Sequence, residues 1–73
     1  MAQELNVLDV VALLEDWPEK QLKRGQVGTV VEQLAPAVYE VEFSDNEGCT
    51  YAQLAIPAAR LIALYYSPLK STR

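Results

Sequence analysis

The sequence reads V-Y-E-V-E-F-S over residues 38–44 and continues as D-N-E-G over residues 45–48. In the first segment aromatic and valine side chains alternate with Glu40 and Glu42, so a strand here has one buried face and one wet face. The second segment is rich in turn-forming residues, and Gly48 occupies the place where a left-handed residue closes a hairpin. We therefore predict a β-hairpin whose turn begins at Asp45 and ends at Gly48.

Short runs rich in valine and tyrosine extend this pattern in both directions, separated by turn residues. Pro18 and Pro57 end two of the runs, and Pro57–Arg60 leaves room for a single 3₁₀ turn. Gly25 and Gly28 indicate a positive φ or a close backbone approach at the start of the second run. The predicted strands are residues 7–14, 27–34, 38–44, 49–56 and 61–66.

A helix over residues 6–15 is the alternative for the first run, because several of its leucines could form a stripe. Its valines are β-branched and the run is apolar on every side, which favours a strand. Five short strands with one 3₁₀ turn before the last predict an all-β, SH3-like small barrel. We expect closure because a chain this short must protect both edges of its sheet. The domain is expected over residues 1–66, with a mobile tail at 67–73.

The chain has 73 residues, which is one small domain with a thin stability margin. A lone Cys49 and the absence of histidine exclude an internal disulfide and a histidine-containing zinc site. We expect no cofactor and no metal. Self-association is the remaining source of extra stability.

The net charge is −4, and two of the six basic residues, Lys70 and Arg73, belong to the predicted tail. A negative field disfavours nucleic acid and anionic membrane surfaces as partners. No apolar run approaches the length of a membrane span, and the first residues do not resemble a secretory signal. We expect a cytoplasmic protein.

The candidates for chemistry are weak. Glu40 and Glu42 lie about 6.6 Å apart on one strand face, a separation that a small hydrolase could use, but any wet strand face has this spacing. The spacing of the oxygen ligands in the D-N-E-G turn does not fit a calcium loop. Cys49 lacks a histidine to activate it, so we expect it to be a small, buried or half-buried residue rather than a nucleophile. The sequence therefore predicts a protein that is not an enzyme.

Three strings together resemble a family of short bacterial proteins known as a domain of unknown function of the DUF4926 type. They are L-D-V-V-A-L-L-E over residues 8–15, L-K-R-G-Q-V-G-T-V-V-E over residues 22–32, and Y-E-V-E-F over residues 39–43. The resemblance covers about residues 5–65 and implies a small stand-alone protein of antitoxin-like or interacting character, with no functional residue to carry over. Trp17 departs from the family pattern, which favours a smaller apolar residue there.

The segment K-R-G-Q-V-G-T-V, residues 23–30, also resembles the basic and glycine-containing part of RNA-binding SH3-like barrels. Lys20, Lys23 and Arg24 are the cations that such a function requires. The acidic remainder of the chain opposes it, so RNA binding is kept as an alternative.

Surplus apolar surface is the most informative feature for function. The first and last predicted strands are apolar on both faces, and a small barrel cannot bury both. Either loops cover the excess, or the outer faces contact another protein. We predict the second, a homodimer or a pair with a protein partner, because aromatic residues with polar tips suit an interface. The candidate interface residues are Trp17, Leu61, Ile62, Leu64, Tyr65 and Tyr66.

Overall fold

The computed structural model describes residues 4–65, which form an all-β domain. The five predicted strands are present, and a 3₁₀ turn precedes the last one, as the sequence predicts. The strands are β1 (Val10–Leu13), β2 (Val27–Ala35), β3 (Val38–Ser44), β4 (Thr50–Pro57) and β5 (Leu61–Ala63), with 3₁₀ turns at Pro18–Lys20 and Ala58–Arg60. No helix in this part of the chain is long and apolar enough to cross a membrane.

The strands form one antiparallel sheet in the order β4-β3-β2-β1-β5. β4 and β5 are its two edges, so the sheet is open, and the barrel closure that the sequence predicts is not confirmed. The chain passes from one edge to the other through the second 3₁₀ turn. This covalent connection lets both edge strands contribute side chains to the same core.

One core holds the sheet together, and every strand supplies part of it. Tyr39, Val41 and Phe43 of β3 are buried, as the alternation in the sequence predicts. The Tyr39 hydroxyl accepts a hydrogen bond from the Leu5 amide at 3.2 Å, which attaches the segment before β1 to the core. The other buried side chains of the core are Leu5, Val11, Leu13, Leu22, Val30, Ile56, Ala58 and Leu61.

The first strand is shorter than predicted, because residues 6–9 form a turn. The Asp9 amide donates to the Asn6 carbonyl at 3.0 Å, and the Asn6 amide donates to an Asp9 carboxylate oxygen at 2.8 Å. Leu8 lies in this turn with a φ of +79°. Neither a strand over residues 7–14 nor the alternative helix over residues 6–15 is therefore correct for the beginning of the segment. The prediction of a strand is right for Val10–Leu13.

The turn between β3 and β4 has the chemistry that the sequence indicates. One Asp45 carboxylate oxygen accepts hydrogen bonds from the amides of Glu47 and Cys49, both at 2.9 Å. The Gly48 amide donates to the Asp45 carbonyl at 3.0 Å, and Gly48 has the expected positive φ, +85°. Asp45 therefore stabilises the turn with its own side chain.

The two glycines before β2 have different roles. Gly25 has a φ of +93°, which provides the left-handed conformation that the chain needs to enter the strand. Gly28 lacks a positive φ but permits a close approach. A Cβ atom there would lie 2.7 Å from Val41 Cγ1 and 2.8 Å from the Glu42 carbonyl oxygen.

The segment between β1 and β2 contains a 3₁₀ turn and a bridge to the core. Pro18 begins a 3₁₀ turn, where its missing N–H leaves no donor unpaired, and Gln21 ends it in the left-handed conformation. Trp17 and Leu22 exchange backbone hydrogen bonds at 2.8 and 3.1 Å. Because Leu22 is buried, this bridge anchors the segment to the core.

Candidate interaction surface

The outer face of the sheet is apolar where β2, β1 and β5 are neighbours. The strand register places Val27 beside Ala12, and Ala12 beside Ile62. Val27 is 43% exposed and Ile62 46% exposed, although both belong to regular strands. Ala12 lies between them and is only 7% exposed. The three residues form an apolar row across the neighbouring strands.

Three further aliphatic side chains extend this row along β1 and β5. Alternation along β1 places Val10 and Leu14 on the same face as Ala12. Leu64 follows β5 next to Val10, and its amide donates to the Val10 carbonyl at 2.8 Å. We call these residues the outer apolar patch: Val10, Ala12, Leu14, Val27, Ile62 and Leu64.

The same face becomes acidic toward β3. Glu32 of β2 is the register partner of Glu40, and Glu42 lies two residues further along β3. Like charges directly opposite each other are destabilising, so these positions are not explained by pairing within the sheet. The only ion pair among residues 4–65 joins Arg60 Nε to a Glu15 carboxylate oxygen at 3.7 Å, outside this cluster.

Glu40 and Glu42 are bound by neutral donors from β4. Gln53 Nε2 donates to Glu40 at 2.7 Å, and Thr50 Oγ1 donates to Glu42 at 2.6 Å. Both carboxylates therefore lie on a regular, outward-facing strand surface with amide and hydroxyl partners. Glu32 joins them across the β2–β3 pair, as the register partner of Glu40.

Trp17 lies apart from the outer apolar patch, in a stack with a charged residue. It is half-buried and packs against the core. The Arg60 guanidinium lies 4.8 Å from the centre of its ring, in cation–π geometry, and also pairs with Glu15. The stack attaches the β1–β2 segment to the second 3₁₀ turn, which gives Trp17 a structural role.

The structure separates the predicted interface residues into different environments. Leu61 is 1% exposed and belongs to the core, so its assignment to the surface was wrong. Ile62 and Leu64 lie on the outer apolar patch, while Tyr65 is 76% exposed beyond β5. Tyr66 and the predicted tail at 67–73 lie outside the described residues.

The sequence does not identify Val27 as an interface candidate and does not resolve which face of β1 is outward. A partial signal exists, because the first run is apolar at consecutive positions and residues 27–31 contain three valines. Only the register of β1 with β2 and β5 shows that Val27, Ala12 and Ile62 form one row.

Cys49 is exposed, which contradicts the expectation of a buried or half-buried thiol. It follows directly after Gly48, and its amide is used by the Asp45 side chain, so the turn places it outside the core. No group of three or more metal-ligating side chains is assembled anywhere in residues 4–65.

Fold and surface together define a small all-β domain with a two-part outer face, apolar on one side and acidic on the other. Residues 7–63 match the family described as Domain of unknown function (DUF4926), and the chain belongs to this family. Neither a curated protein nor a solved structure shows significant similarity to the chain.

Proposed function

We propose that this protein is a non-catalytic interaction module that binds a second copy of itself through the outer apolar patch. The observation that carries the proposal is the pair of exposed aliphatic side chains, Val27 and Ile62, which flank the buried Ala12 on a regular part of the sheet. Exposed aliphatic area that is already ordered loses little entropy on binding, and its burial contributes about 25 cal/mol per Å².

The need for stability supports the same proposal. A single core of this size supplies only about 3–5 kcal/mol of net stability. A partner that covers the patch adds apolar burial to the folded state alone, so dimer formation stabilises the fold by mass action.

The acidic side of the face selects one orientation of the two copies. A two-fold axis parallel to β1 places β3 of each copy beyond the β5 edge of the other, so the glutamates do not meet. An axis across the strands in the sheet plane superposes the two β3 strands and their carboxylates, which is unfavourable. The proposed dimer therefore uses the first arrangement, in which an identical patch contacts itself.

A pair of matched substitutions tests this function. Ile62→Glu introduces a charge within the patch, whereas Leu34→Glu introduces the same charge at an equally exposed position of β2 outside it, with exposures of 46% and 45%. We expect the Ile62 variant to remain folded and to sediment as a monomer, and the Leu34 variant to associate like the wild type. Equal association of all three proteins would show that the patch is not the interface.

RNA binding is the competing class, because Lys20, Lys23 and Arg24 are all exposed on the segment between β1 and β2. A salt titration against a short single-stranded RNA separates the two functions. Binding through three cations must weaken steeply with salt, with a slope of about −2 on logarithmic axes. The interaction-module proposal predicts no RNA binding at physiological salt.

A further inference from the structure

The free edge of β4 is a second surface, distinct from the outer apolar patch and independent of it. β4 pairs with β3 on one side and forms the edge of the sheet on the other. Its eight residues, T-Y-A-Q-L-A-I-P, contain no charged side chain. Natural sheet edges are commonly blocked by charges, by prolines or by a very short strand, and a long uncharged edge can accept an added strand.

The hydrogen-bond phase of β4 shows which backbone groups face outward. The Ala58 amide donates to the Ala37 carbonyl at 2.8 Å, and the same register continues along β3 and β4. Because hydrogen-bonded pairs alternate in an antiparallel ladder, Ile56 and Leu54 bond to β3. Gln53, Ala55 and Pro57 therefore present their backbone groups to the free edge.

The position of Pro57 is consistent with this alternation of inward and outward backbone groups. Proline lacks an N–H, and at an outward position no hydrogen bond to β3 is lost. The amides of Gln53 and Ala55 have no backbone partner within residues 4–65 beyond the β3 ladder, and both residues are exposed. Two donors and three carbonyl acceptors are thus aligned along the edge.

The two faces beside this edge differ, and they define the chemistry of the added strand. On the core face Ala52 and Leu54 pack against the core but remain partly exposed, because no strand lies beyond them. On the outer face Glu40 and Glu42 lie one strand inward, and neither forms an ion pair with another residue of the range 4–65. A strand that alternates apolar and basic residues places its apolar side chains beside Leu54 and its basic side chains toward the glutamates.

We propose that the β4 edge binds an extended segment of a partner protein in which apolar and basic residues alternate. The segment adds as a sixth strand, forming backbone hydrogen bonds with Gln53 and Ala55. Its cations lie about 10 Å from β3, within reach of the carboxylates when both side chains extend.

The test uses the intact protein and an eight-residue capped peptide that alternates lysine with valine. We expect chemical-shift changes centred on β4 and at least about tenfold slower amide exchange at Gln53 and Ala55. A matched peptide that alternates glutamate with valine should bind at least about tenfold more weakly. Absence of binding by the lysine peptide at about 1 mM overturns the proposal, as do changes confined to the outer apolar patch.

Substitutions at Ala55 test the backbone pairing. Ala55→Pro removes an outward N–H that the β3 ladder does not use, whereas Ala55→Val keeps it. We expect the proline variant to lose at least about tenfold in peptide affinity and the valine variant to retain it. If the proline variant does not fold, two N-methylated lysine–valine peptides replace it, one methylated on the backbone amides of the odd residues and the other on those of the even residues. In an added strand only one of these sets faces β4, so only one peptide should lose binding. Equal affinities would contradict strand addition.

Charge neutralisation tests the outer face. Glu40→Gln and Glu42→Gln should each weaken the lysine peptide about threefold at low salt. Glu32→Gln is the matched control, because Glu32 lies one strand further from the edge and its loss should have a smaller effect. Backbone amide exchange at Gln53 and Ala55 could instead be slow without peptide and become slower as the protein concentration rises. This result would show that the edge binds a second copy, and it would overturn the proposed partner. None of these outcomes depends on dimerisation through Ile62, so the two proposals can fail separately.

Discussion

Gly28 and Gly48 are both required by the fold, but for different physical reasons. Gly48 has a positive φ in open surroundings, since an added Cβ meets nothing within 4 Å. Gly28 has an ordinary strand conformation in a crowded place. The sequence predicts the first case well, because D-N-E-G between two strands is a strong turn signal. It leaves the second ambiguous, since crowding depends on the register between β2 and β3.

Gly48→Val should reduce the free energy of unfolding by roughly 1–2 kcal/mol, because a β-branched residue is strained at positive φ. Gly48→Asn is the control, since asparagine tolerates this conformation. Denaturant unfolding measures both variants. Equal losses for valine and asparagine would contradict a conformational cause.

Gly28→Ala should also destabilise the domain, by about 1–3 kcal/mol, because its Cβ overlaps the Val41 side chain and the Glu42 carbonyl oxygen. Val41→Ala removes the nearer contact. In a chain that already carries Val41→Ala, Gly28→Ala should therefore cause a smaller loss in the free energy of unfolding. A double-mutant cycle in urea measures this coupling, and strictly additive losses would show that crowding by Val41 is not the cause.

At the scale of elements, β3 is predicted with its observed bounds. Its glutamates alternate with large apolar residues, and this pattern fits only a strand with the apolar face buried. β1 is not, because Leu8 adopts a positive φ without being glycine and begins a turn inside an apolar run. β5 is shorter than expected, since only Leu61–Ala63 form the strand. Apolar runs without polar alternation therefore locate a strand but do not specify its ends or its faces.

Leu61→Glu and Ile62→Glu should have opposite consequences, although the residues are neighbours in β5. Leu61 is 1% exposed, so a carboxylate at this position loses its hydration. The free-energy cost of burying it should exceed the stability of the domain, which is about 3–5 kcal/mol. Ile62 faces outward, so its variant should remain folded. Circular dichroism and thermal unfolding distinguish the two, and unfolding of the Ile62 variant alone would reverse the assigned faces.

For the whole molecule, the sequence predicts an apolar surface around the last strand but not its position. Ile62 and Leu64 lie on the outer face and Leu61 lies in the core, a distinction that the sequence leaves open. Val27 joins them only because β2 lies beside β1 and β1 beside β5, which is a property of long-range strand order. Composition predicts that excess apolar surface exists, and topology decides where it lies.

Sedimentation velocity of the wild-type protein over a dilution series tests the central claim, that the outer apolar patch joins two copies. We predict a shift from monomer to dimer as the concentration rises through the micromolar range to about 100 μM. High salt should preserve the dimer, because its contacts are apolar and the two acidic surfaces are kept apart. A single monomeric boundary at every concentration and salt would contradict the claim.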